Sequence, residues 1–180
     1  LQDEQEFIQQ LLNPKTQNQA FEKLLQEYQK PLYNHIRNIV LNHDDADDVL
    51  QNTFIKVFRY LKNFKGDSKL FSWMYRISTN EALTFLNQKA QKKGVSSQEL
   101  QTKTIDNLKA DVYFEGDEIQ IQLQKAIAIL PEKQQLVFKM KYFEELKYEE
   151  ISEILGTTVG GLKASYHHAV KKIETFITSL

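Results

Sequence analysis

From Tyr148 to Ile173 the chain reads YEEISEILGTTVGGLKASYHHAVKKI, and this stretch decides the fold. Ile151 and Leu155 lie four residues apart, so both fall on the inward face of a short helix. Gly156 follows where the backbone must turn through positive φ, a conformation free of steric cost only for glycine. Ser152 is small where a second helix has to come close. Thr157 or Thr158 can cap that helix, and Leu162, Tyr166, Ala169, Val170 and Ile173 recur at the spacing that packs it back. The pattern is a helix-turn-helix. An ordinary αα-hairpin with a glycine cap shares part of it; the small residue, the turn glycine and a basic second helix together favour duplex DNA. Gly160, Gly161, Lys163, Ala164, His167 and Lys171 are left on the outside, and Thr158 sits at the helix start. A recognition helix places its first residues at base edges, where lysine and neutral histidine suit phosphates and acceptor-rich edges. Gly160 and Gly161 each weaken a helix by ~1 kcal/mol relative to alanine. They fit either close backbone approach to a phosphate or a frayed first turn.

Upstream, Pro131 stops a helix running from Ile119 to Leu130 and can start the next, which carries Leu136, Val137 and Met140. Before these lies Gly94 to Gly116, polar, acidic and without sustained period, read as a linker with some local order. Phe21, Leu24, Leu25, Tyr28, Leu32, Ile36, Ile39 and Val40 mark one amphipathic helix or a pair bent at Pro31. Asp44 to Asp48 open the next helix, where carboxylates suit the positive end of the helix dipole. A break at Phe64 to Ser68 precedes a long helix from Lys69 to Lys92. The expected fold is all-α: a helical domain over 1–93, the acidic linker 94–116 and a second helical domain over 117–180.

The 180 residues carry a net charge of −1, which conceals a strongly uneven distribution. From Lys56 to Lys93 nine Lys/Arg face only Asp67 and Glu81, a net of +7, whereas Gly94 to Glu118 sets two lysines against six acids, a net of −4. A one-signed basic run can be a solvated helix face. Interleaved with Phe64, Phe71, Trp73 and Tyr75, it instead suits nucleic acid. With no cysteine the chain has neither disulfides nor thiolate metal sites, which fits a cytoplasmic location. No apolar run approaches the ~20 residues of a membrane span, so no membrane insertion is expected. Leu1 to Gln10 is too acidic for a signal peptide. The chain opens on Leu1 rather than methionine, so a few native residues are expected before it.

These segments together resemble extracytoplasmic-function (ECF) sigma factors. Tyr148 to Glu174, preceded by Ala128 to Val137 (AILPEKQQLV), is similar to the family's fourth region. Asp44 to Phe54 (DDADDVLQNTF) resembles its core-binding second region, and Phe64 to Asn80 (FKGDSKLFSWMYRISTN) its promoter-melting segment. The likeness spans about Phe21 to Phe176 in the right order. It implies a sigma factor that binds core RNA polymerase through the β′ and β subunits, recognises and helps melt promoter DNA, and initiates transcription. Asp47, Asp48, Gln51 and Phe54 would dock on the β′ clamp helices. Phe64, Lys65, Ser68, Phe71 and Asn80 would form the pocket for a flipped minus-ten base, whose unstacking costs a few kcal/mol. Arg59, Lys62, Lys69, Arg76, Lys89, Lys92 and Lys93 would hold phosphates, a salt-sensitive contribution. Trp73 fits the core better than the pocket. Thr158, Gly160, Gly161, Lys163, Ala164, His167 and Lys171 would meet the minus-thirty-five element. Gly161 stands where the family often has threonine, and Ser165 and His168 where it often has arginine, which blurs the expected promoter sequence.

Other readings of the same residues are weaker. Asp44 to Asp48 has the hard oxygen ligands of a magnesium site, but the second metal-binding segment and large cavity of such an enzyme are absent from the sequence. His167 and His168 point about 100° apart on a helix and rarely share an ion. A one-component regulator would use the same helix-turn-helix, but a sensor domain has no use for a basic aromatic stripe; a pure protein-interaction module would bind no DNA. The expectation is therefore no catalytic residue, no metal and no cofactor, with promoter DNA, core polymerase and an anti-sigma factor as partners.

Overall fold

The computed structural model describes residues 2–180; Leu1, on which the expectation of preceding residues rests, lies outside them. Nine α-helices occur among these residues: α1 (Gln2–Leu12), α2 (Gln17–Val40), α3 (His43–Tyr60), α4 (Leu70–Lys93), α5 (Ser97–Asp106), α6 (Glu118–Ala128), α7 (Glu132–Tyr142), α8 (Tyr148–Leu155) and α9 (Val159–Thr178). No strand is present among the described residues.

Local chemistry sets most boundaries. Pro31 lies inside α2, which stays one helix rather than a bent pair. The α2–α3 turn is made by Leu41 in the left-handed region (φ 62°) and by Asn42, whose side chain accepts from the Asp45 N–H at 2.9 Å. Gly94 (φ 65°) closes α4. Pro131 precedes α7, as its fixed φ and missing N–H favour.

The first half is a bundle of α2, α3 and α4 packed through Leu24, Leu32, Ile36, Val49, Val57 and Met74, all fully buried. Leu11 of α1 joins it, and the Glu4 carboxylate accepts from the Leu70 N–H at 3.1 Å, capping α4, whose own Lys69 makes no side-chain cap. In the second half α6, α7 and α9 close over Ile127, Phe138, Ala169 and Ile173.

The two halves do not stand apart. The first core continues without a break into Val137, Met140, Ile151, Ile154 and Leu162 of the second half, and α8 lies along α4. Ile154, rather than Leu155, is the fully inward partner of Ile151. At the seam His35 is completely buried: Nδ1 lies 2.9 Å from a Glu144 oxygen and Nε2 lies 2.7 Å from the Thr79 hydroxyl. The acidic stretch also contributes to this seam. Ser96 and Glu99 form a reciprocal capping box that starts α5, and Leu100, Ile105 and Leu108 are buried. Asp111 is tied to Arg37 at 2.6 Å. Burial opposes its charge, yet the Tyr113 N–H and Arg37 outweigh this and hold its pKa below the ordinary range.

Lys139 of α7 is 3 % exposed, and burial pushes its pKa down to about 8 against a smaller opposing pull from Glu144. Below pH 8 both folded and unfolded chains carry this proton. Between pH 8 and about 10.5 only the unfolded chain holds it, so stability climbs with pH across that window.

Two outcomes follow for denaturant melts. Glu144→Gln should lose ~1–3 kcal/mol by leaving buried His35 poorly matched, whereas Glu149→Gln, exposed on α8, should change little. Wild type should gain on the order of 2–3 kcal/mol between pH 8 and 10 relative to Lys139→Met; parallel pH curves for the two proteins would contradict the buried-ammonium account.

Candidate functional site

The helix-turn-helix is built by three local interactions. Gly156 ends α8 at φ 65°, its N–H donating to the Ser152 carbonyl at 2.9 Å. Ser152 Oγ donates to the Thr157 carbonyl at 2.6 Å, stitching the turn. Thr158 then caps α9, accepting from the Gly161 N–H at 3.2 Å. The first turn of α9 is therefore capped, not frayed. A Cβ at Gly160 would meet no atom within 4 Å, while one at Gly161 would come 3.2 Å from Thr158 Oγ1. No packing inside the chain demands a glycine at 160.

Gly160, Lys163, Ala164, His167 and Lys171 form the exposed face of α9, with Gly161 half-buried and Thr158 exposed at its start. Lys163 leans over the Tyr148 ring, Nζ 5.8 Å from its centre, and Lys141 lies 5.0 Å from the same ring. Two cations thus converge on the Tyr148 ring at the amino end of α8. His167 and His168 point apart, their ring centres 6.0 Å from each other.

On α3 the acids diverge. Asp45 turns inward to pair with Lys89, Asp47 lies 3.4 Å from His43, and Asp44 and Asp48 face outward. No group of three or more His, Asp or Glu side chains among the described residues is placed to hold an ion. Asp48 and Gln51 share the exposed face with Ile55 (55 % exposed) and Phe58 (45 % exposed). Phe54, expected at that surface, is instead 8 % exposed and belongs to the core. The apolar stripe of α3 is wide enough to include 54, 55 and 58, and periodicity does not tell which of them points in.

At the α3–α4 junction a short 3-10 turn (Leu61–Asn63) leads into a loop turned by Gly66 (φ 76°). Lys62, Lys65 and Lys69 are exposed, and so are Arg59 and Asn80. Phe64 packs on Trp73 with ring centres 5.0 Å apart, and Phe71 on Tyr75 at 4.1 Å. Phe64, Ser68 and Phe71 are half-buried, as is Trp73, which packs against the core. These residues gather at one end of α4. Asn80 lies eleven residues along the helix from Lys69, roughly 16 Å away, and Arg76 donates to the Glu153 carbonyl of α8. Lys89 is engaged with Asp45, while Lys92 and Lys93 end α4 exposed. The loop cations and aromatics form one cluster; Arg76 and Asn80 belong to the flank facing the second half.

Two family models match this chain: Sigma-70 region 2 over residues 24–92, and Sigma-70, region 4, over residues 120–173. The chain is similar to the RNA polymerase sigma-H factor of Pseudomonas aeruginosa, 29% identical over 89% of this chain and 88% of that protein. It is also similar to the ECF RNA polymerase sigma-E factors of Haemophilus influenzae (28% identical, 89% of each chain) and Escherichia coli K12 (27%, covering 92% and 91%). Its fold is shared with CnrH in complex with the cytosolic domain of CnrY, at a TM-score of 0.65, 17% identity and 90% coverage of each chain. It is shared too with the sigma factor RpoE of Bartonella quintana in complex with the anti-sigma factor NepR, at a TM-score of 0.64, 17% identity, 88% of this chain and 96% of that one.

Gly160→Ala should raise stability by ~0.5–1 kcal/mol, since the helix gains propensity and the methyl meets open space. Phe54→Ala should cost ~3–5 kcal/mol by emptying the core, against less than about 1 kcal/mol for Ile55→Ala. Equal losses at 54 and 55 would mean that the helix is rotated from the orientation described.

Proposed function

The chain belongs to the sigma-70 family, in its ECF group, and we propose that its two halves divide the work of promoter-specific initiation between them. Residues 1–93 take the core polymerase and the minus-ten element, 117–180 take the minus-thirty-five element, and 94–116 joins them. The observation that supports this division is the order of the two region matches, residues 24–92 and 120–173, with the acidic stretch between them.

The Asp48, Gln51 and Ile55 face of α3, flanked by Asp47, is the surface offered to the β′ clamp helices. Its acids pair with basic side chains while Ile55 and Phe58 supply the apolar centre; Phe54 supports this face from beneath. The loop from Arg59 to Lys69 and the rings of Phe64 and Phe71 receive the melted non-template strand, with Asn80 lining its path. The cations hold phosphates. Thr158, Gly160, Gly161, Lys163, Ala164, His167 and Lys171 meet duplex DNA. Nucleotide addition belongs to the polymerase, in the cytoplasm. No helix among the described residues is long and apolar enough to cross a membrane.

Geometry adds a requirement. A compact chain of this length has a radius of gyration of ~16 Å, hence a diameter near ~40 Å. The two promoter elements lie ~25 base pairs apart, about 85 Å at 3.4 Å per pair. The closed arrangement cannot touch both, so the seam through His35, Glu144 and the shared core opens on the polymerase. A protein partner that holds the halves together would act as an anti-sigma factor, the kind of partner bound in the Bartonella quintana complex.

Asp48→Arg combined with Ile55→Ala should abolish binding to core polymerase and run-off transcription while leaving the thermal melt within a few degrees of wild type. Run-off at the wild-type level would remove this face from the docking surface. Lys163→Ala should weaken promoter binding across all sequences and reduce the slope of log K against log salt by about 1; an unchanged slope would exclude a phosphate contact.

A further inference from the structure

Where the two halves meet, α2, α4, α5 and α7 line an open cleft of about 410 Å³, within the ~300–1,000 Å³ typical of small-molecule sites. Aliphatic side chains from both halves line it, among them Ile39, Leu83, Leu86, Leu130 and Leu136. The capping-box helix α5 forms its roof, and Gln101 bonds across to Gln135 at 2.9 Å. Into this space faces Lys139, 3 % exposed.

Its ammonium has no hydrogen-bond partner and no carboxylate within 4.0 Å among the described residues. Glu144 is taken by His35 and Asn38, and Glu132 stands at the exposed rim two turns away on α7, ~10 Å along the axis. Removing a cation from water is costly, and here the polar side chains of Gln101, Thr104 and Gln135 share the lining with the aliphatic ones. With the amine still mostly protonated at pH 7 (burial lowers its pKa only to about 8), the cleft presents one positive charge at the edge of an aliphatic wall.

We propose that this cleft is a binding site for a small organic carboxylate with an apolar body, its carboxylate pairing with Lys139 and its chain lying against Leu83, Leu86 and Leu136. Because the walls come from both halves, the site is whole only in the closed arrangement. A ligand that binds one state of an equilibrium shifts the chain toward that state, so occupancy holds the halves together. This consequence rests on the sigma-factor reading; the binding itself does not.

Calorimetry on the full chain with octanoate, and with octan-1-ol as its uncharged counterpart, tests the site. Octanoate should bind at least tenfold more tightly than octan-1-ol and raise the melting temperature. Lys139→Met should lose at least tenfold affinity for octanoate and keep its affinity for octan-1-ol. Octanoate binding no tighter than octan-1-ol, absence of heat for either, or unchanged octanoate affinity in a folded Lys139→Met would overturn the proposal. Should Lys139→Met show no cooperative melt, the comparison of the two probes on the unaltered chain decides alone. In run-off assays started by adding the chain to core polymerase, octanoate should slow initiation at least twofold. Bound octanoate with undiminished transcription would overturn the holding role. Absence of transcription without octanoate would instead count against the sigma-factor reading.

Discussion

The closed arrangement depends on one buried contact. His35, on α2, has no exposed surface, and an imidazole in that position has to find hydrogen-bond partners for both ring nitrogens within the protein. The Thr79 hydroxyl donates to the Tyr75 carbonyl at 2.7 Å, so its oxygen is free to accept from His35 Nε2. Glu144, 109 residues along the chain, lies 2.9 Å from Nδ1. Two helices, α2 and α4, and the turn after α7 are thereby held in one register. The apolar residues around them, Ile36, Met74, Met140 and Ile151, fill the remaining space only when that register is kept.

This contact gives the molecule a conflict between resting and working states. Its shared core favours closure, while the proposed reading of two promoter elements by the two halves requires separation. The acidic stretch mediates between them. It folds α5 against the seam and is fastened by Arg37 to Asp111 and by Tyr113 stacked on His43 at 3.7 Å. These fastenings are polar or partly exposed, so they are weaker than the core they border. The basic loop cluster is exposed, whereas Arg76 is engaged by the Glu153 carbonyl of α8.

Lys139 stands out because it stabilises neither state by itself. An aliphatic residue there would carry no charge to bury, whereas Lys139 is 3 % exposed beside aliphatic side chains of the seam. The same seam thus joins the conformational conflict to a chemical group able to bias it.

The sequence by itself determined the helices and the helix-turn-helix, because the interactions that form them are local. Gly156, Thr158 and Pro131 act within a turn of their own position, and a 3.6-residue apolar period needs no partner to be visible. The polar, aperiodic stretch read as linker instead starts α5 at the capping box of Ser96 and Glu99, a local signal that its composition masks. The order of acidic, basic and aromatic segments was enough to identify the family. Only the tertiary structure decided that Phe54 is inward and Ile55 outward, that Glu4 caps α4, that α8 covers Arg76, and that His35 meets Glu144. Each of those depends on which surface packs against which, and a helical period shows that a face is apolar without showing what lies against it. The helix-turn-helix was therefore written in its own residues, while its closure onto the other half was settled by contacts across more than a hundred.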